Sequence, residues 1–258
     1  MCFIGKKCVL LVKNVFELFI TMIEKPLVTV ITVCYNAVSL IEKTIRSVLA
    51  QQYEHIEYVV VDGGSTDGTI EIIRKYEAHI SHWITEQDEG IYDAMNKGVA
   101  MATGEWCIFL NAGDTFAADD VLNRIFQVPR EADVIYGDVV KNGTVKAAEP
   151  PHNSHRMYFC HQSCLTRTAC LRTFPYDISH RMSADFKLYK LLWKKNYRFL
   201  QLPFAIANFD TTGVSNTNRS RGLYDNIQII RELDGCLEQI RLLPRLYFVY
   251  FLCKLKKQ

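Results

Sequence analysis

Val59-Val60-Val61-Asp62-Gly63-Gly64-Ser65-Thr66-Asp67-Gly68-Thr69 is the stretch whose reading decides the fold. Three β-branched residues end at a carboxylate. Two glycines free the backbone, and Ser65, Thr66 and Asp67 offer oxygen atoms to a following helix. The run reads as a buried strand, a tight turn and a helix start. Ligands of open α/β sheets bind at the carboxyl ends of strands, so Asp62 stands where a ligand-reading carboxylate belongs. An ionised carboxylate only accepts hydrogen bonds, which suits a ligand N–H or hydroxyl rather than a phosphate.

The same grammar extends in both directions. Val28 to Cys34 is a continuous apolar and β-branched run, the pattern of a strand covered on both faces, and Tyr35-Asn36 breaks it. Val38 to Leu49 carries apolar residues at helical spacing. Thr69 to Tyr76, Ile91 to Ala102 and Asp119 to Phe126 read as helices, and Ile56 to Val61, His82 to Thr85, Trp106 to Leu110 and Asp133 to Tyr136 as strands. This alternation predicts a parallel sheet with right-handed crossovers. No G-x-G-x-x-G follows the first strand, so a dinucleotide fold has little support. After residue 138 come short β-like pieces, a Pro150-Pro151 turn, a helix at Ser183 to Lys194, an extended stretch at Tyr197 to Ala207 and a helix at Arg219 to Leu233.

The 258 residues are 49% hydrophobic and 22% charged, with a net charge of +2. These values fit one globular α/β domain with a small appendage and give no general pull toward nucleic acid. Nine cysteines without regular spacing predict a reducing compartment. Cys160, His161 and Cys164, with His152 and His155 upstream, match no strong zinc spacing. Cys8 to Ile23 is apolar but broken by Lys13, Asn14 and Glu17. It is too interrupted to span a membrane and lacks a small-residue cleavage site, so it reads as an amphipathic helix. Met22 reads as an alternative start. Leu242 to Lys257 is aromatic, apolar and basic-ended, and Pro244 and Arg245 leave it too short to span. It suits a helix lying on an anionic cytoplasmic leaflet; the other reading is a helix packed on the catalytic domain or at a dimer interface.

Acids recur at the predicted strand ends: Asp62, then Glu86 and Asp88, Asp114 in Leu110-Asn111-Ala112-Gly113-Asp114, and Asp138. As a set they point to a divalent cation with a polyhydroxyl or diphosphate ligand, although any one alone can be a turn former. Asp93, Asn96 and Lys97 share one helix face beside the acidic loop Glu86-Gln87-Asp88-Glu89-Gly90.

Four ordered segments (Val28 to Asn36, Asp62 to Thr69, Glu86 to Gly98 and Leu110 to Asp114) resemble the family 2 glycosyltransferases. The likeness is to bacterial enzymes of colanic acid, other exopolysaccharide or O-antigen assembly. It covers about residues 26–215. The resemblance implies a GT-A fold with a mostly parallel central sheet flanked by helices, a nucleotide-sugar donor and an inverting mechanism. It implies a division into an N-terminal extension (1–25), a nucleotide-sugar-binding half (26–138), an acceptor half (139–215) and C-terminal helices (216–258). Thr32, Tyr35 and Asn36 would line the nucleoside pocket, and Asp62 would accept from the base edge, most simply uracil. Glu86, Asp93 and Lys97 would lie near the sugar and diphosphate. Asn111 to Asp114 occupies the place of the family's D-x-D motif, one residue longer and with Asn111 for the first acid. Asp114 is then the ligand for Mg²⁺ or Mn²⁺, with Asn111 a neutral helper. Asp185, at the start of the Ser183 helix, would be the general base, and His161 in His161-Gln162-Ser163 would lie near the donor sugar or diphosphate.

The expected reaction moves one sugar to a hydroxyl of a glycan or polyprenyl-diphosphate-linked acceptor, on the cytoplasmic face of the inner membrane. Processive synthases of the family carry a Q-x-x-R-W motif and spanning helices, and neither occurs in this sequence. A nucleotidyltransferase would need a Gly-rich basic loop after the first strand, where Tyr35-Asn36-Ala37-Val38 stands. The remaining alternative is an inactive nucleotide-sugar-binding module, against which Asp114 and Asp185 speak. The polar stretch Asn208 to Arg221 is a candidate lid.

Overall fold

The structure, a computed structural model, describes residues 25–127, 131–212 and 219–255. The predicted N-terminal amphipathic helix, the alternative start at Met22 and the centre of the candidate lid (213–218) lie outside the described residues.

Four strands form the parallel half of the sheet. They are β1 (Val28–Cys34), β2 (Ile56–Asp62), β3 (His82–Thr85) and β4 (Trp106–Phe109), in the order β3-β2-β1-β4. The helices α1 (Ile41–Leu49), α2 (Thr69–Lys75) and α3 (Ile91–Met101) make the crossovers. Every residue of β1 is buried. The two-residue period of a strand explains why: Val28 and Val30 enter the core on one face, with Val60 of β2 and Ile41 and Ile45 of α1. Ile31 and Val33 enter a second core on the other face, with Met95 and Val99 of α3. A Cβ on Gly98 would stand 2.5 Å from Ile31 Cγ2, so α3 lies close on β1 because residue 98 has no side chain.

Beyond β4 the sheet becomes mixed. β8 (Cys164–Arg167) is antiparallel to both β4 and β6 (Val134–Lys141) and lies between them. β6 therefore runs in the direction of β4, as the strand–helix alternation predicts, but is not its neighbour. β9 (Phe199–Phe209) runs parallel to β6 with register shifts, and its far edge pairs antiparallel with β5 (Thr115–Phe116). β7 (Thr144–Lys146) closes a hairpin on β6. The expected division at residue 138 falls inside β6, so one sheet crosses it. The shorter helices α4 (Val121–Ile125) and α5 (Thr168–Thr173) cover opposite faces, and α6 (Ala184–Lys194) packs on the second core.

α7 (Arg219–Leu233) and α8 (Cys236–Leu255) form a hairpin around a third cluster that includes Phe186, Ile230, Leu242 and Leu246. Lys190 of α6 pairs with Asp234 at 2.7 Å where both side chains are nearly sealed from water, and this fastens the hairpin to the domain. The other face of α8 stays open: Leu237, Ile240, Phe248, Phe251 and Leu255 are exposed. Among the described residues no helix is long and apolar enough to cross a membrane.

Candidate active site

The parallel strands deliver their carboxyl ends to a cavity of about 760 Å³. Tyr35 and Asn36, Asp88 to Asp93, and Asn111 and Asp114 line it from the sheet side. A smaller cavity of about 420 Å³ opens between the β6–β7 hairpin and α7. Asp185 lines both.

Asp185 is held from two sides. Tyr92 donates its hydroxyl to Oδ1 at 2.8 Å, and His161 Nδ1 lies 3.2 Å from Oδ2. Its side chain keeps 16% exposure, so it faces the cavities without being open to bulk water. Burial opposes its ionisation, but the His161 ring and the Tyr92 hydroxyl outweigh burial and hold the carboxyl below its ordinary pKa. Asp185 is thus a carboxylate at neutral pH. It sits in the first turn of α6, where the helix dipole favours negative charge.

Asp114 is 3% exposed. Its Oδ1 accepts the Asp210 backbone N–H at 2.8 Å. Burial pushes its pKa from 3.8 up to about 6, against the pull of the Asp210 N–H and the His161 ring. Beside it in the cavity wall, Asn111 Oδ1 is buried without a hydrogen-bond partner, as is His161 Nε2. An oxygen acceptor lacking a donor costs free energy unless something occupies its lone pairs. A carboxylate next to a neutral oxygen of this kind suits a hard divalent cation, which takes oxygen ligands and keeps water and phosphate in its remaining positions. Asn111 and Asp114 therefore fit the expected Mg²⁺ or Mn²⁺.

Tyr35, Asn36, Asp93, Asn111, Asp114, His161 and Asp185 gather on one cavity, as the sequence leads one to expect. Four expected site residues do not line it. Thr32 is fully buried and its hydroxyl meets Tyr58 OH at 3.1 Å. Asp62 is fully buried as well. It accepts from Gly64 N–H (3.1 Å), Ser65 N–H (2.8 Å), Thr85 Oγ1 (2.7 Å), Cys34 Sγ (3.5 Å) and Ser65 Oγ. Those donors consume its lone pairs, so it ties the turn together and has none left for a ligand. Lys97 donates to Gln87 O and pairs with Glu86 at 2.9 Å and Asp93 at 3.3 Å, so Glu86 and Lys97 satisfy each other beside the cavity.

The sequence names Asp88 among the strand-end acids without giving it a role of its own, and it lines the cavity next to Tyr35; the sequence reading misses three cations there, Lys141, Arg181 and Arg221. Among the described residues Arg181 and Arg221 form no ion pair with an acid, and neither residue type nor spacing marks them in the sequence. Cys160, His161 and Cys164, which match no strong zinc spacing, do not come together as a metal-holding group among the described residues. Burial raises the thiols of Cys160 to about 11 and Cys164 to about 12, and Cys164 Sγ lies 2.9 Å from Tyr189 OH. The described residues do bring Asp177, His180 and Glu232 together. Lys187 Nζ already fills that cluster, 2.6 Å from Asp177 Oδ2 and 2.5 Å from Glu232 Oε2.

The mixed sheet with its cavity at the carboxyl ends of the parallel strands is an α/β fold of the GT-A type. The family described as glycosyl transferase family 2 matches residues 29–201, and the chain belongs to it. A PGL/p-HBAD biosynthesis glycosyltransferase of Mycobacterium bovis (strain BCG / Pasteur 1173P2) is 30% identical over 213 residues, 78% of this chain and 80% of that one. The putative teichuronic acid biosynthesis glycosyltransferase TuaG of Bacillus subtilis is 41% identical over 106 residues, 39% of this chain and 41% of that one. A Pyrobaculum calidifontis mannosyltransferase, solved with GDP-Man and Mn²⁺, superposes with a TM-score of 0.65 at 20% identity, covering 83% of this chain and 66% of that one. S. aureus TarS, solved with UDP, superposes with a TM-score of 0.59 at 21% identity, covering 81% of this chain and 67% of that one. These two likenesses speak for the fold.

Proposed function

We propose that the chain transfers one sugar, with inversion, from a nucleotide-diphosphate donor in the larger cavity to a hydroxyl presented from the smaller one. The position of Asp185 on the wall of both carries this reading. An inverting displacement needs a base on the side of the anomeric carbon opposite the leaving group, and Asp185 takes the proton of the attacking hydroxyl there. Tyr92 and His161 fix the carboxylate's orientation. Asp114 and Asn111 would hold a divalent cation, which when bound would offset charge on the departing diphosphate. Arg181, Arg221 and Lys141 add positive charge on the same wall, the role first expected of Lys97. That the mannosyltransferase relative in structure was solved with GDP-Man and Mn²⁺, and TarS with UDP, fits a nucleotide-sugar donor and a cation. The glycan-assembly names of the sequence relatives fit a surface glycan or lipid-linked acceptor.

Turnover with a panel of nucleotide sugars, each with and without Mn²⁺, tests this reading. The wild type is expected to form product with an inverted anomeric centre, and Asp185→Asn to lose ~10²–10⁴-fold in kcat while still binding donor. Unchanged turnover in Asp185→Asn removes the base. Donor binding without turnover in the wild type, with any acceptor, favours a binding module.

The open face of α8 supports peripheral membrane attachment. Exposed Leu237, Ile240, Phe248, Phe251 and Leu255 recur at helical spacing, flanked by Arg241, Arg245 and Lys254 with no acid after Glu238. Such a face suits the interface of an anionic bilayer. Co-flotation with phosphatidylglycerol vesicles is expected, and its loss in Phe248→Glu/Phe251→Glu. A wild type that stays at the bottom of the gradient counts against attachment.

A further inference from the structure

We infer that Asp88, not Asp62, is the carboxylate that reads the nucleobase of the donor, and that Gly63 is there to admit it. The inference rests on the nucleotide-donor reading of the larger cavity. A Cβ built on Gly63 would lie 2.3 Å from Asp88 Oδ2 and 3.5 Å from Tyr35 Cδ2. Gly63 is not among the glycines with positive φ, so backbone conformation does not require glycine there. The close approach of the Asp88 carboxylate does.

The surroundings of Asp88 have the parts of a base-recognition site. Tyr35 is 65% exposed at the end of β1, beside the same Gly63, and offers an open aromatic face on which a planar base can stack. The turn beneath is rigid: Asn36 N–H donates to Ser65 Oγ at 2.8 Å and Asn36 Oδ1 accepts Thr66 N–H at 2.9 Å. Asp88 Oδ1 accepts Gly90 N–H at 2.8 Å, which orients the carboxylate and directs Oδ2 to Gly63. Asp62, at the end of the neighbouring strand, has every lone pair engaged by its own turn. Asp88 thus remains as the acceptor next to the aromatic platform.

A carboxylate accepts and cannot donate. It therefore selects a base with a ring N–H on the presented edge, the chemistry of uracil and guanine, over cytosine and adenine, whose corresponding ring nitrogen is an acceptor. A hydrogen bond to a charged acceptor is worth roughly tenfold or more in affinity.

Calorimetric titration of the full chain with UDP, GDP, CDP and ADP in Mn²⁺ tests this. Wild-type protein is expected to bind UDP or GDP and to prefer it to CDP and ADP. Asp88→Asn is expected to bind the preferred nucleotide ~10-fold or more weakly. It is also expected to bind that nucleotide methylated at the ring nitrogen as the wild type does, since neither pair can form the bond. Gly63→Ala, which displaces Asp88, is expected to show the same pattern with an unchanged melting temperature within a few degrees. Equal affinity of Asp88→Asn and wild type overturns the assignment of Asp88 alone. So does an equal loss for the methylated and unmethylated nucleotides. A wild type that binds none of the four nucleotides overturns the donor reading and this inference with it.

Discussion

Asp114→Asn should make the protein more stable and useless. The folded pKa of Asp114 is raised from 3.8 to about 6 because burial strips its water. Between those values the native state holds a proton that the unfolded chain has released, so stability falls as pH rises through the window. Above about pH 6 the full penalty applies. At about 1.4 kcal/mol per pH unit it amounts to about 3 kcal/mol. An asparagine carries no charge at any pH, and its Oδ1 can still accept the Asp210 N–H now received by Asp114. The variant should match the wild type near pH 4 and exceed it by up to about 3 kcal/mol near pH 8, roughly 6–12 °C in Tm for a chain of this size. Thermal unfolding in chelator-treated buffer across that range reads the difference. A variant no more stable than the wild type near pH 8, or a gap that does not close toward pH 4, refutes the account of Asp114 as a desolvated carboxylate. Added Mn²⁺ should raise the Tm of the wild type and leave that of the variant unchanged.

Tyr92→Phe removes the hydroxyl that donates to Asp185 Oδ1. With that support gone the pKa of Asp185 rises, so, with Asp185 as the proposed base, the acid limb of the kcat profile should move to higher pH; a profile with an unmoved acid limb refutes it. Gly98→Ala places a methyl 2.5 Å from Ile31 Cγ2; urea unfolding should show a loss of ~1–3 kcal/mol, and an unchanged midpoint would mean α3 can shift freely on β1. Lys190→Met leaves the fully buried Asp234 carboxylate with Lys194 at 3.0 Å as its remaining cation. A destabilisation of ~3 kcal/mol is expected by chemical denaturation, and a stability equal to the wild type would show that the pair does not hold the α7–α8 hairpin.

The bounds of β1 and α7 coincide with the apolar patterns that announce them, because burial on both faces or along one helix stripe leaves its pattern in the sequence itself. β8 is different. Cys164-Leu165-Thr166-Arg167 is four residues without a turn signal of its own, and its place between β4 and β6 is decided by pairing across the chain. The same divide runs through the site. Residue type and motif order mark Asp114, Asp185 and His161, which then meet in one cavity. They do not show where hydrogen bonds end, so Asp62 and Lys97 look available in the sequence although local donors and acids satisfy them in the fold. Asp88 is hidden in an acidic loop where every neighbour could play its part. Only the space left by Gly63 distinguishes it.

The pairing of β9 with β5 and β6 bears on how this chain comes into being. Leu202, Ile206 and Ala207 fill the core under the first half of the sheet, and the residue just past β9 gives its N–H to Asp114. A ribosome that has released only the parallel strands has made the lining of a pocket without its closing wall. Up to the arrival of residue 210 that segment carries apolar surface with nothing to cover it, so excision of residues 26–138 should yield an aggregating fragment rather than a small nucleotide-binding protein. The wall of the larger cavity is encoded first and finished only when β9 arrives.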